Sequence, residues 1–289
     1  MYTKNFVNPC PDWATALLNG FSQVLLQRNP LCGLCCLLAI LITAPQLIGG
    51  ALLGALAGLL TAQRRGYNRA DRQAGLYSYN GVLIGVLFSY LLPWSPLLLP
   101  LIIAAAGLSS MLVHQWLKRG GSVLLPAYTL PFVLAGWALL LVAEPAATAN
   151  TPVPASALDA LARGLGQIFL LDQPLAGMLI ALGLLLADRY AAAWAFVGAA
   201  IGGSVALLGG EATAAYMGLY GFNAALAALA FSGTRAQPWK PLLAIVLAIA
   251  VQPLFNLLPI PGLTAPFIVA CWMVRLGDVK GTRVQSRCI

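Results

Sequence analysis

The chain has 289 residues, of which 60% are hydrophobic and 8% charged, and its formal net charge is +8. Ordinary soluble domains carry roughly 25% charged residues, so this composition excludes a typical soluble enzyme or binding module and implies a membrane protein. Continuous runs rich in Gly, Ala and Leu, near the roughly 20 residues a helix needs to cross the bilayer core, favour a helical bundle over an outer-membrane barrel with its strict alternation.

In chain order, the first dozen residues include Lys4, Asn5, Asn8, Pro9, Pro11 and Asp12. They lack a basic segment leading into an apolar run with a small-residue cleavage site, so no cleaved signal peptide is expected. Apolar runs bounded by Pro, Gly or charge predict spans near 32–45, 46–62, 78–92, 97–117 and 123–143. After a polar stretch at 147–163, five more follow near 175–187, 190–209, 217–232, 241–256 and 261–277. The expected fold is therefore all-α and polytopic, with ten spanning helices plus re-entrant pore helices.

Fifteen of the 16 Lys and Arg residues fall on one side of this arrangement, from Lys4 and Arg28 through Arg64, Arg65, Arg69 and Arg72 to Arg287, leaving only Arg163 on the other. Basic residues are retained in cytoplasmic loops, which predicts both termini in the cytoplasm and an even number of spans. Topology thus accounts for the positive charge, and no nucleic-acid partner is expected.

Three blocks recur in the same order on either side of the polar stretch. Gly20-Phe21-Ser22-Gln23-Val24-Leu25-Leu26 and Asn29-Pro30-Leu31 match Gly164-Leu165-Gly166-Gln167-Ile168-Phe169-Leu170 and Gln173-Pro174-Leu175. Gly75-Leu76-Tyr77-Ser78-Tyr79-Asn80-Gly81 matches Gly218-Leu219-Tyr220-Gly221-Phe222-Asn223-Ala224, and Pro126-Ala127-Tyr128-Thr129-Leu130-Pro131-Phe132 matches Pro261-Gly262-Leu263-Thr264-Ala265-Pro266-Phe267. An internal duplication is expected, with residues 1–146 as the first repeat, 147–163 as an extracytoplasmic linker and 164–289 as the second. Five spans per copy would turn the second copy upside down, an architecture that places a solute path at the repeat interface near the midplane.

Polar side chains at membrane depth cost free energy and face a partner helix or a wet path. Gln23, Gln167, Asn80, Asn223, Thr129 and Thr264 form the candidate set, duplicated beside Pro and Gly. The plain alternative is helix-to-helix glue at about 0.6 kcal/mol per hydrogen bond. Asn80 and Asn223, each following an aromatic residue, fit bracing of broken backbone better than contact with solute. In the Pro-x-x-Thr-x-Pro-Phe blocks, Pro126, Pro131, Pro261 and Pro266 cannot sit inside an unbroken helix without freeing carbonyls. Those carbonyls, at the end of a short re-entrant helix, would extend a row of acceptors with the Thr hydroxyls.

Together these blocks resemble the urea transporter family across essentially the whole chain, most specifically in the string from Asn256 to Phe267. The resemblance implies a homotrimer in the inner cell membrane with one pore per protomer, passing urea passively down its gradient without a cofactor. It also implies that Gln23 and Gln167 begin two acceptor ladders and that Thr129 and Thr264 line the constriction between them. Val24, Leu83, Ile168 and Leu226 become aliphatic slot walls, with Tyr79 and Phe222 as aromatic faces. Leu26 and Leu170 stand where the family often has aromatics, which points to wider slots, while the Tyr79 hydroxyl could bond within the pore.

Urea is flat and neutral, with four N–H donors, and suits acceptors set beside apolar walls. No Arg, Lys or Asp lies at the centre of an expected span, so ion coupling through a buried carboxylate has no visible residue. The alternative is a channel for a short amide, ammonia or water. His114, the only histidine, stands beside Lys118 and Arg119 as an interfacial residue, and the Asn-Pro dipeptides at 8–9 and 29–30 do not make a convincing aquaporin pair.

Glu144, Asp159, Asp172 and Glu211, all expected in loops or interfaces, have no nucleophile, base or metal motif beside them, so an enzyme is not expected. The six cysteines do not read as a disulfide framework, since about four of them sit in apolar segments as small apolar residues, and the Cys32, Cys35, Cys36 triplet has no His or acidic residue near it for a metal site. Gly49, Gly50, Gly54 and Gly58 read as close-packing positions.

Overall fold

Leu, Ala and Gly dominate the apolar runs, and with no water to satisfy the backbone such runs close their hydrogen bonds internally as helix. The computed structural model describes residues 12–119, 125–142 and 156–285, and every regular element in them is helical. The N-terminal half contains α1 (Asp12–Val24), α2 (Pro30–Thr43), α3 (Pro45–Arg64), α4 (Arg69–Gln73), α5 (Tyr79–Leu91), α6 (Leu98–Lys118) and α7 (Leu130–Leu140). In the C-terminal half lie α8 (Ala157–Gly166), α9 (Pro174–Ala187), α10 (Arg189–Leu208), α11 (Ala212–Tyr216), α12 (Gly221–Phe231), α13 (Trp239–Asn256) and α14 (Ala265–Gln285). Residues 147–155 of the expected linker, Lys4, the Asn8-Pro9-Cys10 string, Glu144, Arg287 and Cys288 lie outside the described residues, as do the side chains of Lys280 and Arg283.

Each of the ten expected segments coincides with a helix, but lengths differ. By length and apolarity α3, α6, α10 and α13 could each cross a membrane, and the bent pair 157–169 and 174–187, meeting at 77°, could make one further crossing. The segment expected at 123–143 is helical only over the 11 residues of α7, about 16 Å at 1.5 Å per residue and well short of the roughly 30 Å core. Proline is the cause. Pro131 sits in the first turn of α7, where its missing N–H is harmless, and Pro126 lies in the non-helical stretch 125–129 before it.

Helix starts follow the same chemistry. Asn29 caps α2, accepting from the N–H groups of Leu31 and Cys32 at 2.9 and 3.0 Å, with Pro30 next in line. Close packing rests on glycine. In α3 a Cβ at Gly54 would collide with the carbonyl of Gly81 in α5, and in α10 one at Gly198 would collide with Ala224 in α12. These pairs, α3 on α5 and α10 on α12, are the most intimate in the molecule, and α2 packs on α9 to join the halves. Cys32, Cys35, Cys36 and Cys271 are free and buried in the helices.

Candidate functional site

The two Pro-x-x-Thr-x-Pro-Phe strings form the centre of the molecule. In each, the residue before the threonine is left-handed: φ is 44° at Tyr128 and 49° at Leu263. A non-glycine residue held there costs roughly 1 to 3 kcal/mol and needs surrounding structure to hold it.

Two asparagines supply it. Asn80 accepts from the Phe132 N–H at 3.0 Å and donates to the Tyr128 carbonyl at 3.4 Å. Asn223 accepts from the Phe267 N–H at 3.3 Å and donates to the Leu263 carbonyl at 3.1 Å. Each amide bridges the peptide groups on either side of its threonine, and both asparagines are almost fully buried. The Tyr79 hydroxyl also donates to the Tyr128 carbonyl. It is therefore committed to backbone rather than free in a path.

Thr129 and Thr264 meet side chain to side chain, their Oγ1 atoms 2.7 Å apart. Each immediately precedes a helix, α7 or α14. This corrects the expectation of carbonyls at the end of a short re-entrant helix: the threonines stand at helix N-termini, where the helix dipole is positive. The carbonyls of the first proline in each string are also spoken for within the protein. Trp272 Nε1 donates to Pro126 O at 2.9 Å, and Trp137 Nε1 donates to Pro261 O at 3.0 Å.

Each glutamine block ends in a turn. After Gln23 the chain closes with Leu26 N–H bonding to Gln23 O at 2.9 Å, and after Gln167 with Leu170 N–H bonding to Gln167 O at 3.0 Å. Leu26 and Leu170 are both left-handed at φ 59°, so the two leucines serve as turn residues ending α1 and the 3₁₀ turn 167–169. Gln23 Oε1 is out of solvent contact and accepts no hydrogen bond.

On the C-terminal side a cavity of about 340 Å³ is lined by Gln167, Ile168, Leu170, Phe222, Pro261 and Thr264 of the expected set. Phe132 crosses from the other half to close it. Val24, Leu83 and Leu226 are buried in the core and do not line it. Among the residues missed from sequence, Tyr220, Gln252, Asn256 and Glu211 also face this cavity. Gln252 accepts from Asn223 at 3.0 Å, and Asn256 donates to the Tyr220 hydroxyl at 3.1 Å. Two amides four residues apart, after the apolar run 241–251 of α13, are the signal for that face.

The halves differ where Tyr128 replaces Leu263. Its hydroxyl accepts from Arg275 Nε at 3.1 Å, and its ring meets Phe267 edge-on at 5.0 Å between centroids. His114 lies away from the junction, stacked on Tyr67 at 3.7 Å with the Tyr77 hydroxyl 3.5 Å from its Nδ1. Burial, with Asp71 adding, raises the Tyr77 phenol to about 12. Of the acids considered for catalysis, Asp159 lies in the first turn of α8, not in a loop, and no group of His, Cys, Asp or Glu among the described residues could hold a metal.

The chain matches the family described as Urea transporter over residues 14–278. It is 28% identical to Urea transporter 1 of Ovis aries over 98% of this chain and 83% of that protein. Urea transporter 1 of Mus musculus is 27% identical over 94% and 78% of the two chains, and that of Rattus norvegicus 29% over 82% and 67%.

Proposed function

Because the chain belongs to the urea transporter family, we propose that it is a channel through which urea crosses the membrane passively, between Thr129 and Thr264. The observation that carries this reading is the threonine junction: two hydroxyls 2.7 Å apart, at the starts of two helices from opposite halves. Each hydroxyl can swap its partner for a urea N–H. The two helix N-termini add positive potential at the same place, which disfavours cations and leaves a neutral solute.

Gln23 and Gln167 begin acceptor rows on either side. The unpaired Oε1 of Gln23 is an acceptor with no donor of its own, and a buried unsatisfied group of this kind costs roughly 1 to 3 kcal/mol until a partner arrives. Val24, Leu83, Ile168 and Leu226, with the Tyr79 and Phe222 rings, form the apolar walls of the rows, while Leu26 and Leu170 widen them.

The architecture behind this path is two inverted five-span repeats, 1–146 and 164–289, joined by an extracytoplasmic linker at 147–163. Its support is the reciprocity of the contacts. Thr129 and Thr264, Pro126 and Pro261, and Trp137 and Trp272 are each 135 residues apart, and the tryptophan-to-proline contact occurs in both directions beside the threonine pair. Ten spans, both termini in the cytoplasm, a homotrimer and an inner-membrane location complete the proposal. The topology rests on the one-sided Lys and Arg distribution, and the trimer on family resemblance.

The test is purified protein in liposomes, followed by light scattering after a rapid inward urea gradient. Entry faster than in empty vesicles, with glycerol no faster than in those vesicles, is expected. Urea entry at the empty-vesicle rate would overturn the substrate assignment.

A further inference from the structure

The proline strings are held from two directions, and the second direction fell outside the expected set. Within each half, an asparagine fixes the peptide groups around the threonine. That bracing orients each string but does not set the distance between the two. Trp137 lies two turns along α7 from Thr129, and its indole N–H reaches the carbonyl of Pro261, the residue that opens the other string, at 3.0 Å. Trp272 lies two turns along α14 from Thr264 and returns the contact to Pro126 at 2.9 Å.

Each indole is itself clamped. Trp137 stacks on Phe255 of α13 at 6.4 Å and 29°, and Trp272 stacks on Trp116 of α6 at 6.0 Å and 7°. A stacked ring cannot swing to follow a departing carbonyl, so its hydrogen bond fixes the string at one position. Two residues lie between Pro126 and Thr129 and between Pro261 and Thr264, too short a tether to absorb much movement.

We propose that Trp137 and Trp272 are positioning residues that set the width of the threonine constriction and so determine the largest amide that passes. The inference rests on the reading that solute crosses between Thr129 and Thr264. With both indole bonds in place, the strings are pinned at the separation that brings the hydroxyls to 2.7 Å. Without them, each string stays braced by its own asparagine and is joined to the opposite half by the threonine pair and the contacts of Tyr128 with Arg275 and Phe267, and the opening widens.

The test uses full-length protein in liposomes and compares entry of urea with that of N,N′-dimethylurea by light scattering. W137F/W272F keeps an aromatic ring for stacking and removes both donors. The dimethylurea-to-urea permeability ratio is expected to rise at least threefold, whereas W137H/W272H, which retains a ring N–H, restores part of the original ratio. Placement is read separately from flux. In a T129C/T264C background the phenylalanine pair is expected to slow disulfide formation under mild oxidant severalfold, a change that loss of stability elsewhere would not produce.

An unchanged ratio and an unchanged oxidation rate in W137F/W272F would overturn the positioning role. Should the phenylalanine pair fail to assemble, the single variants W137F and W272F carry the test: a raised dimethylurea ratio in either supports the role, and wild-type ratios in both contradict it. Failure of the underlying path looks different. If T129V/T264V leaves both permeabilities untouched, the path assignment falls. If it changes them while the tryptophan variants do not, only the present inference falls.

Discussion

Thr129 Oγ1 lies 2.7 Å from Thr264 Oγ1, although 135 residues separate them in the chain. Hydroxyls this close share one hydrogen between them, and each retains acceptor capacity for a third partner. The contact joins the two halves at the start of α7 and of α14.

Replacing Thr264 with Val keeps the shape and removes one acceptor from the row. A neutral hydrogen bond is worth about 1 kcal/mol net, or roughly a fivefold change in rate if lost at the highest point of the path. Urea permeability of T264V is expected to fall by about that factor, with T129V matching it, as measured by light scattering in proteoliposomes. Unchanged flux in both would remove the threonines from the path.

Gln23 offers a split between stability and transport. Its Oε1 is buried without a partner, so Gln23→Leu removes an unsatisfied group and leaves the melting temperature of the purified protein the same or higher. Urea entry is nonetheless expected to drop severalfold. Loss of both together would mean that Gln23 is structural glue.

Asn80→Ala should behave in the opposite way. It strips the bridge across the left-handed Tyr128, costing two buried hydrogen bonds and releasing a strained backbone. A loss of roughly 2 to 4 kcal/mol is expected, seen as a lower melting temperature in detergent and a larger drop than T129V produces. Asn223→Ala should follow, since it holds Leu263 and also pairs with Gln252.

Gly54→Ala tests the packing of α3 on α5. The added methyl meets the Gly81 carbonyl, which is backbone and cannot step aside. Overpacking of this kind costs typically 1 to 3 kcal/mol. Gly203→Ala, where a Cβ meets nothing within 4 Å, is the matched control and should melt as the parent does.

Cations should not pass. The positive ends of α7 and α14 meet at the threonines. Methylammonium entry into proteoliposomes is expected at the empty-vesicle rate, and T264D, which places a carboxylate there, is the variant expected to raise it.

Much of this was legible in the residues. Paired blocks brought Thr129 to Thr264 and marked Asn80 and Asn223 as braces, since Asn, Thr and Pro in an apolar chain stand out. Helix lengths were not legible, because the apolar run from 123 to 143 gives no sign that its helix begins only at Leu130, with Pro131 in its first turn. Trp137 and Trp272 were passed over because an indole in an apolar segment reads as packing or as a membrane-interface anchor. The signal was there all the same: each stands six residues after the second proline of its block. Gln252 and Asn256 stand outside the three paired blocks, so the duplication does not mark them.

The most direct test is to close the junction chemically. T129C/T264C puts two sulfurs where oxygens sit 2.7 Å apart, close enough for a bond of about 2.05 Å after small adjustment, while the native Cys32, Cys35, Cys36 and Cys271 remain buried. Oxidised protein, with the cross-link verified by mass spectrometry, is expected to lose urea flux in liposomes and to regain it on reduction, whereas oxidant leaves the parent protein unaffected. Full urea flux through the cross-linked protein would mean that urea does not pass between Thr129 and Thr264.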